Sequence, residues 1–283
     1  NIKGFNVLGF SVKNISNKLL SENIKIFKNW KSLESDKKIK VVFICSPPST
    51  HKKIILYSIK KNKHIYCEKP VCKSFQEISN IYEKLKNKKL IHFVNYEFNK
   101  IDAFKEFKKK YIPKIKIKNV NICWLIKIPT KGRSRWKNNH SLGGGNFYNY
   151  ICHILFYLED FFGKVEIKDS KLIDRKNKFE LVTNLYSTNN KVNINLVFKT
   201  IDKNSKLKPY HKISFGSNKG DYILFSKTNN LYDQFVLKKN KKVLFKPNKI
   251  NFDFRINPTY QNILSFKKDI YRKRNGKLNF IVA

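Results

Sequence analysis

No methionine occurs among the 283 residues, acidic residues number 20 against 60 Lys and Arg, and arginine itself is scarce. A complete translated chain begins with Met and this one begins with Asn1, so the sequence is expected to be processed, clipped or a segment of a longer protein. Long apolar runs are also lacking. The longest, such as Val41 to Cys45, fall far short of the ~20 residues that cross a bilayer, and no signal-peptide pattern opens the chain, which predicts a cytoplasmic protein with no membrane partner. The shortage of arginine bears on the charge. A formal net charge of +40 first suggests nucleic acid, because basic chains gain affinity for phosphate by releasing counterions. Nucleic-acid binders usually concentrate that charge and favour Arg for bidentate contacts. Here lysines are scattered over the whole length beside an excess of Asn, Ile, Phe and Tyr, the mark of an A/T-rich coding bias, and no nucleic-acid partner is expected.

Paired cysteines are a further absence. Cys45, Cys67, Cys72, Cys123 and Cys152 are odd in number and contain no CxxC pair, so reduced thiols are expected and no metal site. What remains is enough for a core: 41% hydrophobic and 14% aromatic residues exclude a disordered chain. The length fits one large domain or two ordinary ones.

Along the first hundred residues short apolar runs alternate with helical patterns. Phe5 to Phe10 reads as a strand, Ile15 to Leu20 as a short helix, and Val41 to Cys45 as a strand buried on both faces, as parallel strands are. Ser46-Pro47-Pro48 breaks the chain before a helix from about Ser49 to Lys61. His64 to Cys67 is the next strand, Ser74 to Glu77 a capping box opening a helix to about Lys86, and Leu90 to Asn95 a further strand. This order predicts a Rossmann-type, doubly wound parallel sheet over residues 1–98. From 99 to 283 the rhythm changes. A helix from Ile101 to Tyr111 precedes Ile115 to Ile128, and strand-like segments dominate from Lys164 to Phe245, with Val192 to Phe198 alternating at the period of a sheet with one covered face. Asn189-Asn190 and Asn229-Asn230 read as hairpin turns. With helices at Asn146 to Phe161 and Tyr260 to Arg274, this half is expected to be an α+β domain with a mostly antiparallel open sheet.

Three local patterns carry chemistry, and each has a plainer reading. Cys45 to His51 lies at the carboxyl end of a parallel strand, where open α/β sheets bind ligands and backbone N–H groups meet a cofactor; the plainer reading is a strand-to-helix turn capped by Ser49. Glu68-Lys69-Pro70 follows the next strand and places a Lys as donor or electrostatic anchor for a substrate hydroxyl, unless Lys69 is one more solvated lysine. In Gly143 to His153, Asn149 and His153 stand four apart and share a helical face. His exchanges protons near neutral pH, while a lone His is more often a satisfied core residue.

Taken together and in order, these patterns resemble the Gfo/Idh/MocA family, the glucose-fructose oxidoreductase and inositol dehydrogenase group of NAD(P)-dependent enzymes. The resemblance rests on Val42 to His51, on His64 to Pro70 with its Glu-Lys-Pro, on Trp136-Lys137, on Gly143-Gly144-Gly145 through His153, and on the turn Gly216 to Gly220. It implies a dinucleotide-binding domain, a second α/β domain whose open sheet commonly supports dimers or tetramers, and hydride transfer between nicotinamide and a sugar, cyclitol or nucleotide-sugar carbon. Lys69 and His153 match the family's catalytic Lys and His. Position 149 departs: the commonest family residue is Asp and here it is Asn149, which cannot accept a proton as a carboxylate does. Asn149 would then orient the substrate while His153 or Lys69 acts alone; the alternative is an inactive, cofactor-binding regulator or scaffold.

No G-x-G-x-x-G is present, and Gly4 and Gly9 bracket what resembles the family's second strand. The first strand and its Gly-rich turn are therefore expected upstream of Asn1, and the C-terminal helix is followed by fewer residues than usual. The resemblance places the cofactor near Ser46, Pro47, Pro48, His51, Glu68, Lys69, Pro70 and Asn95, and the substrate near Arg135, Trp136, Asn149 and Tyr260. At the adenosine ribose, Ser11 and Lys13 stand where an acid would select NAD, which leans toward NADP.

Overall fold

The computed structural model describes residues 4–12, 24–127, 135–175, 178–202, 204–230 and 232–280. The helix expected at Ile15 to Leu20 and Lys13 lie outside them. The chain divides into two compact units: residues 1–96, 136–145 and 260–283 form the first, and residues 97–135 and 146–259 the second. The first unit is not continuous in sequence, since residues 136–145 and 260–283 return to it.

The first unit holds a two-stranded parallel pair, β1 (Gly9–Phe10) and β2 (Lys25–Ile26), with α1 (Trp30–Ser35) after it. The strand expected from Phe5 is thus only two residues long. A three-stranded parallel sheet follows in the order β3 (Val41–Ile44), β4 (His64–Glu68) and β5 (His92–Asn95), linked by α2 (Pro48–Lys60) and α3 (Phe75–Leu85). These are the Rossmann-type crossovers that the apolar runs predict. At the start of α3 the capping box is half formed. Ser74 Oγ accepts from Glu77 N at 3.3 Å, but the Glu77 carboxylate accepts from Lys73 N at 3.1 Å rather than from the cap residue.

The long C-terminal helix α6 (Ile256–Arg272) begins a turn earlier than its sequence pattern suggests. Its Phe266 is fully buried, with ring centroids 5.6–6.1 Å from Tyr66, Phe93 and Phe43 on the three strands. Beyond α6 the chain runs along the β5 edge: Val94 N–H donates to Leu278 O at 2.8 Å, and Phe280 N–H to His92 Nδ1 at 3.0 Å.

In the second unit an eight-stranded sheet has the order β13-β12-β11-β10-β6-β9-β8-β7. Its strands are β6 (Ile117–Lys127), β7 (Val165–Arg175), β8 (Lys178–Ser187), β9 (Val192–Ile201), β10 (Tyr210–Ser217), β11 (Tyr222–Ser226), β12 (Val236–Lys239) and β13 (Lys242–Phe245). All neighbours are antiparallel except β6 and β9. Asn189-Asn190 turns β8 into β9, whereas Asn229-Asn230 lies in a longer loop in which the Asp233 carboxylate accepts from both their N–H groups. The alternating inward residues Ile194, Leu196 and Phe198 of β9 meet Phe104 and Phe107, from α4 (Asp102–Glu106) and the π-helical turn Phe107–Tyr111, and Ile154, Tyr157 and Leu158 from α5 (Cys152–Phe162). Among the described residues no helix is long and apolar enough to cross a membrane, and no cluster of three His, Cys, Asp or Glu side chains suits a metal. All five cysteines are free thiols.

Two buried groups give the first unit opposed pH responses. Glu34 is 1% exposed, and burial raises its carboxyl pKa to about 7 against the opposing Ser58 hydrogen bond and Lys63 charge. Burial lowers His92 to about 4. The folded state thus holds a proton on Glu34 that the unfolded chain has released, and this group's contribution falls as pH rises from 4.5 to 7. Glu34→Gln is expected to unfold at higher denaturant than the parent above pH 7, by roughly 1–3 kcal/mol, with the gap closing toward pH 4.5. Phe266→Ala should cost about 3–5 kcal/mol in the same assay.

Candidate functional site

The carboxyl ends of β3, β4 and β5 bring together most of the residues singled out in the first unit. Helix α2 begins at Pro48 with Pro47 as its N-cap and no side-chain cap, so Ser49 does not cap it. Pro47 and Pro48 carry no N–H, and Thr50 N–H is spent on Pro47 O at 2.9 Å. Pro47, Pro48 and Thr50 therefore leave no free backbone donor of their own in this turn. Thr50 Oγ1 donates to Pro47 O at 2.8 Å and lies 2.6 Å from Ser46 Oγ. With Thr50's one proton committed, Ser46 is the donor in that pair, and its oxygen keeps lone pairs for a ligand.

His51 is fully buried and joins two turns. Its Nε2 is 2.7 Å from Ser46 O, after β3, and its Nδ1 is 3.0 Å from Pro70 O, after β4. Burial pulls the ring's pKa down while the Ser46, Pro70 and Val71 backbone bonds oppose it. The neutral ring has one N–H, so it donates to one of these two carbonyls and packs against the other between the strand ends. The Lys69–Pro70 bond is cis, and Lys69 itself is half-buried.

Asn95 is also buried, 1% exposed, and acts through Glu68. Its Nδ2 donates to Glu68 Oε1 at 2.8 Å, while its Oδ1 accepts from Asn262 Nδ2 at 2.9 Å. Asn262, fully buried on α6, donates to Tyr96 O as well. Sequence reasoning missed Asn262. Its signal was a polar residue four before Phe266, on the apolar face of a helix. Tyr260 lies two residues earlier and is 39% exposed.

Residues 136–145 fold onto the same unit. Lys73 Nζ donates to Ser141 O at 3.1 Å, and Gly143, at φ +79°, lies so close to α2 that an added Cβ would stand 2.6 Å from Pro48 Cβ. A Cβ at Gly144 would overlap the Trp136 carbonyl. The triple glycine thus lets this segment, with half-buried Trp136, lie against the Pro-Pro turn. Ser11 follows β1 and is half-buried, Lys13 lies outside the described residues, and Arg135 is placed only by its backbone.

In the second unit Phe147–Ile151 is a π-helical turn leading into α5. Half-buried Asn149 lies in that turn and His153 in the first turn of α5, so the shared face expected of a regular α-helix passes through a widened turn. His153 is 6% exposed. Its Nε2 is 3.9 Å from Glu97 Oε2, and its ring centroid is 5.0 Å from that of Phe98. Behind it Tyr157 Oη is 3.1 Å from His211 Nε2, and the His211 ring stacks on Trp124 at 4.1 Å. Glu97 and His211 were not foreseen.

The parallel β3-β4-β5 sheet is Rossmann-type, with hydroxyl and carboxylate groups at its strand ends. Residues 12–96 match the model of the Gfo/Idh/MocA oxidoreductase family with its NAD-binding Rossmann fold. Levoglucosan dehydrogenase of Pseudarthrobacter phenanthrenivorans is 33% identical over 84 residues, 30% of this chain and 21% of that protein. An uncharacterized oxidoreductase of Schizosaccharomyces pombe is 24% identical over 190 residues, 63% of this chain and 51% of its own. The chain thus spans about half or less of the length of these relatives. A levoglucosan dehydrogenase structure with NADH and levoglucosan shares the fold, with a TM-score of 0.68 at 16% identity, over 90% of this chain and 77% of that one.

Removing the bridging amide or the bridging imidazole tests these networks. Asn262→Ala leaves Asn95 Oδ1 and Tyr96 O without their donor and should cost about 1–3 kcal/mol. His51→Ala, which removes a fully buried ring and the single N–H it offers a strand-end carbonyl, is expected to cost more than Asn262→Ala in the same equilibrium unfolding experiment.

Proposed function

We propose that the protein is an NAD(P)-dependent oxidoreductase that moves a hydride between nicotinamide and a carbon bearing a hydroxyl or carbonyl in a sugar, cyclitol or nucleotide sugar. The observation that carries this reading is the strand-end cluster of Ser46, Glu68 and Lys69 on a Rossmann-type sheet that matches an NAD-binding family over residues 12–96. The donor set fits the nicotinamide and ribose half of a dinucleotide. Ser46 offers lone pairs, Pro47 and Pro48 flat apolar faces, and Glu68 a carboxylate held by Asn95 that accepts from hydroxyls.

A bound nicotinamide supplies the hydride acceptor or donor. Lys69 then stabilises the negative charge that grows on the substrate oxygen, as an ammonium does for a forming alkoxide. His153 takes the hydroxyl proton during oxidation and returns it during reduction. Asn149 hydrogen-bonds a neighbouring hydroxyl with its amide, and Trp136, Arg135 and Tyr260 are assigned to the substrate. The absence of an acid at Ser11, Val12 and Lys13 favours NADP over NAD. A cytoplasmic homodimer or homotetramer completes the reading.

Absorbance of reduced nicotinamide, followed with NAD⁺ and NADP⁺ against levoglucosan, inositols and nucleotide sugars, tests the activity. Lys69→Ala should lower turnover about 100-fold or more while cofactor affinity, read by fluorescence titration, stays within about twofold. Undiminished turnover would remove Lys69 from the mechanism, and cofactor binding without turnover on any substrate would favour an inactive scaffold.

A further inference from the structure

We infer that Glu97 is the carboxylate partner of His153, a positioning residue that orients the imidazole and raises its proton affinity in the reaction proposed above, on which this inference rests. Glu97 opens the second unit, to which His153 also belongs, and its carbonyl accepts from Lys100 N–H at 2.9 Å in the turn that follows. The Glu97 side chain is 15% exposed and that of His153 7%, with Oε2 to Nε2 at 3.9 Å. That separation is too long for a direct hydrogen bond and short enough for strong charge coupling, which little solvent screens at this exposure. Phe98 holds the imidazole in place from the same segment.

Among the described residues, the groups that flank His153 on its own helix and those on its ring's packing neighbours do not supply the charge. Asn149, one turn earlier, is an amide. Tyr157, one turn later, is completely buried, and burial drives its pKa well up, while burial lowers His211 to about 3. Both are neutral across the working pH range. Farther along α5, Glu159 is exposed and Asp160 is bonded to Lys108 at 2.7 Å. Position 149, four residues before His153 across the π-helical turn, carries an amide, so a carboxylate placed there tests whether charge from the helix side can replace that of Glu97.

The test is the titration of the His153 imidazole by NMR in the full chain without cofactor. Glu97→Gln should lower its midpoint by about one unit, and Glu97→Gln combined with Asn149→Asp should recover at least half of that shift. In the unsubstituted protein, the Glu97 carboxyl carbon signal should move as His153 titrates, a readout that requires no variant to fold. An unchanged midpoint in Glu97→Gln, or a Glu97 signal indifferent to His153, overturns the inference. With turnover established, the acid limb of the kcat/KM profile should shift by the same amount, whereas a merely structural Glu97 would lower activity equally at every pH. Coupled titrations in a protein that turns over no substrate would instead sink the proposed function and leave the Glu97–His153 coupling standing.

Discussion

The first unit is arranged around one buried imidazole that lies between the carbonyls of two separate strand-to-helix turns and donates to one of them. Strands β3 and β4 are hydrogen-bonded along their length, but that ladder stops where the ligand-facing turns begin. Beyond it, His51 is the link: Ser46 O lies on one side of the ring and Pro70 O on the other. The turn that carries Ser46 and the turn that carries Lys69 and Pro70 are thereby held at a spacing set by the width of an imidazole. A second brace of the same kind runs from α6 through Asn262 and Asn95 to Glu68. Groups offered to a ligand stand on rigid supports because the side chains behind them have no other conformation that satisfies a buried polar atom.

In the second unit the polar groups near His153 are sorted by ionisation. Tyr157 and His211 share a hydrogen bond in a bed of Phe98, Phe235 and Trp124, where burial keeps both uncharged. Such a bed lowers the local dielectric without adding a competing charge, so an ionised carboxylate beside the imidazole is felt strongly. The π-helical turn before α5 adds one backbone register to the helix at the point where the polar face begins, a common place for such turns in proteins that use them.

Much of the first unit was legible because its signals are local. The apolar run Val41 to Ile44, the proline pair after it, and the Ser74 cap each act within a few residues, and the elements appear close to where those signals put them. The family motifs likewise carried Ser46, Glu68 and Lys69 to neighbouring strand ends. What stayed hidden depends on contacts made far along the chain. Asn262 meets Asn95 across 167 positions, and residues 136–145 join the first unit through Gly143 and Pro48. Neither pairing leaves a periodicity to read. Glu97 was passed over because a single acid after a strand looks like any solvated residue until the fold shows what faces it. His51 and Asn95, read as cofactor contacts, are buried at 0% and 1% exposure, a depth that no local pattern in the sequence signals.

The chain that follows α6 along β5 has a consequence for self-association. A parallel sheet leaves its last strand with unpaired N–H and C=O groups that invite another strand. Here Leu278 O and the Phe280 N–H occupy part of that edge, the latter through the unprotonated Nδ1 of His92. The second of these bonds needs a neutral ring and is lost as pH falls toward the His92 pKa of about 4, while the Val94 to Leu278 backbone bond stays. Strong acid therefore loosens one of the two ties that cover this margin without baring it.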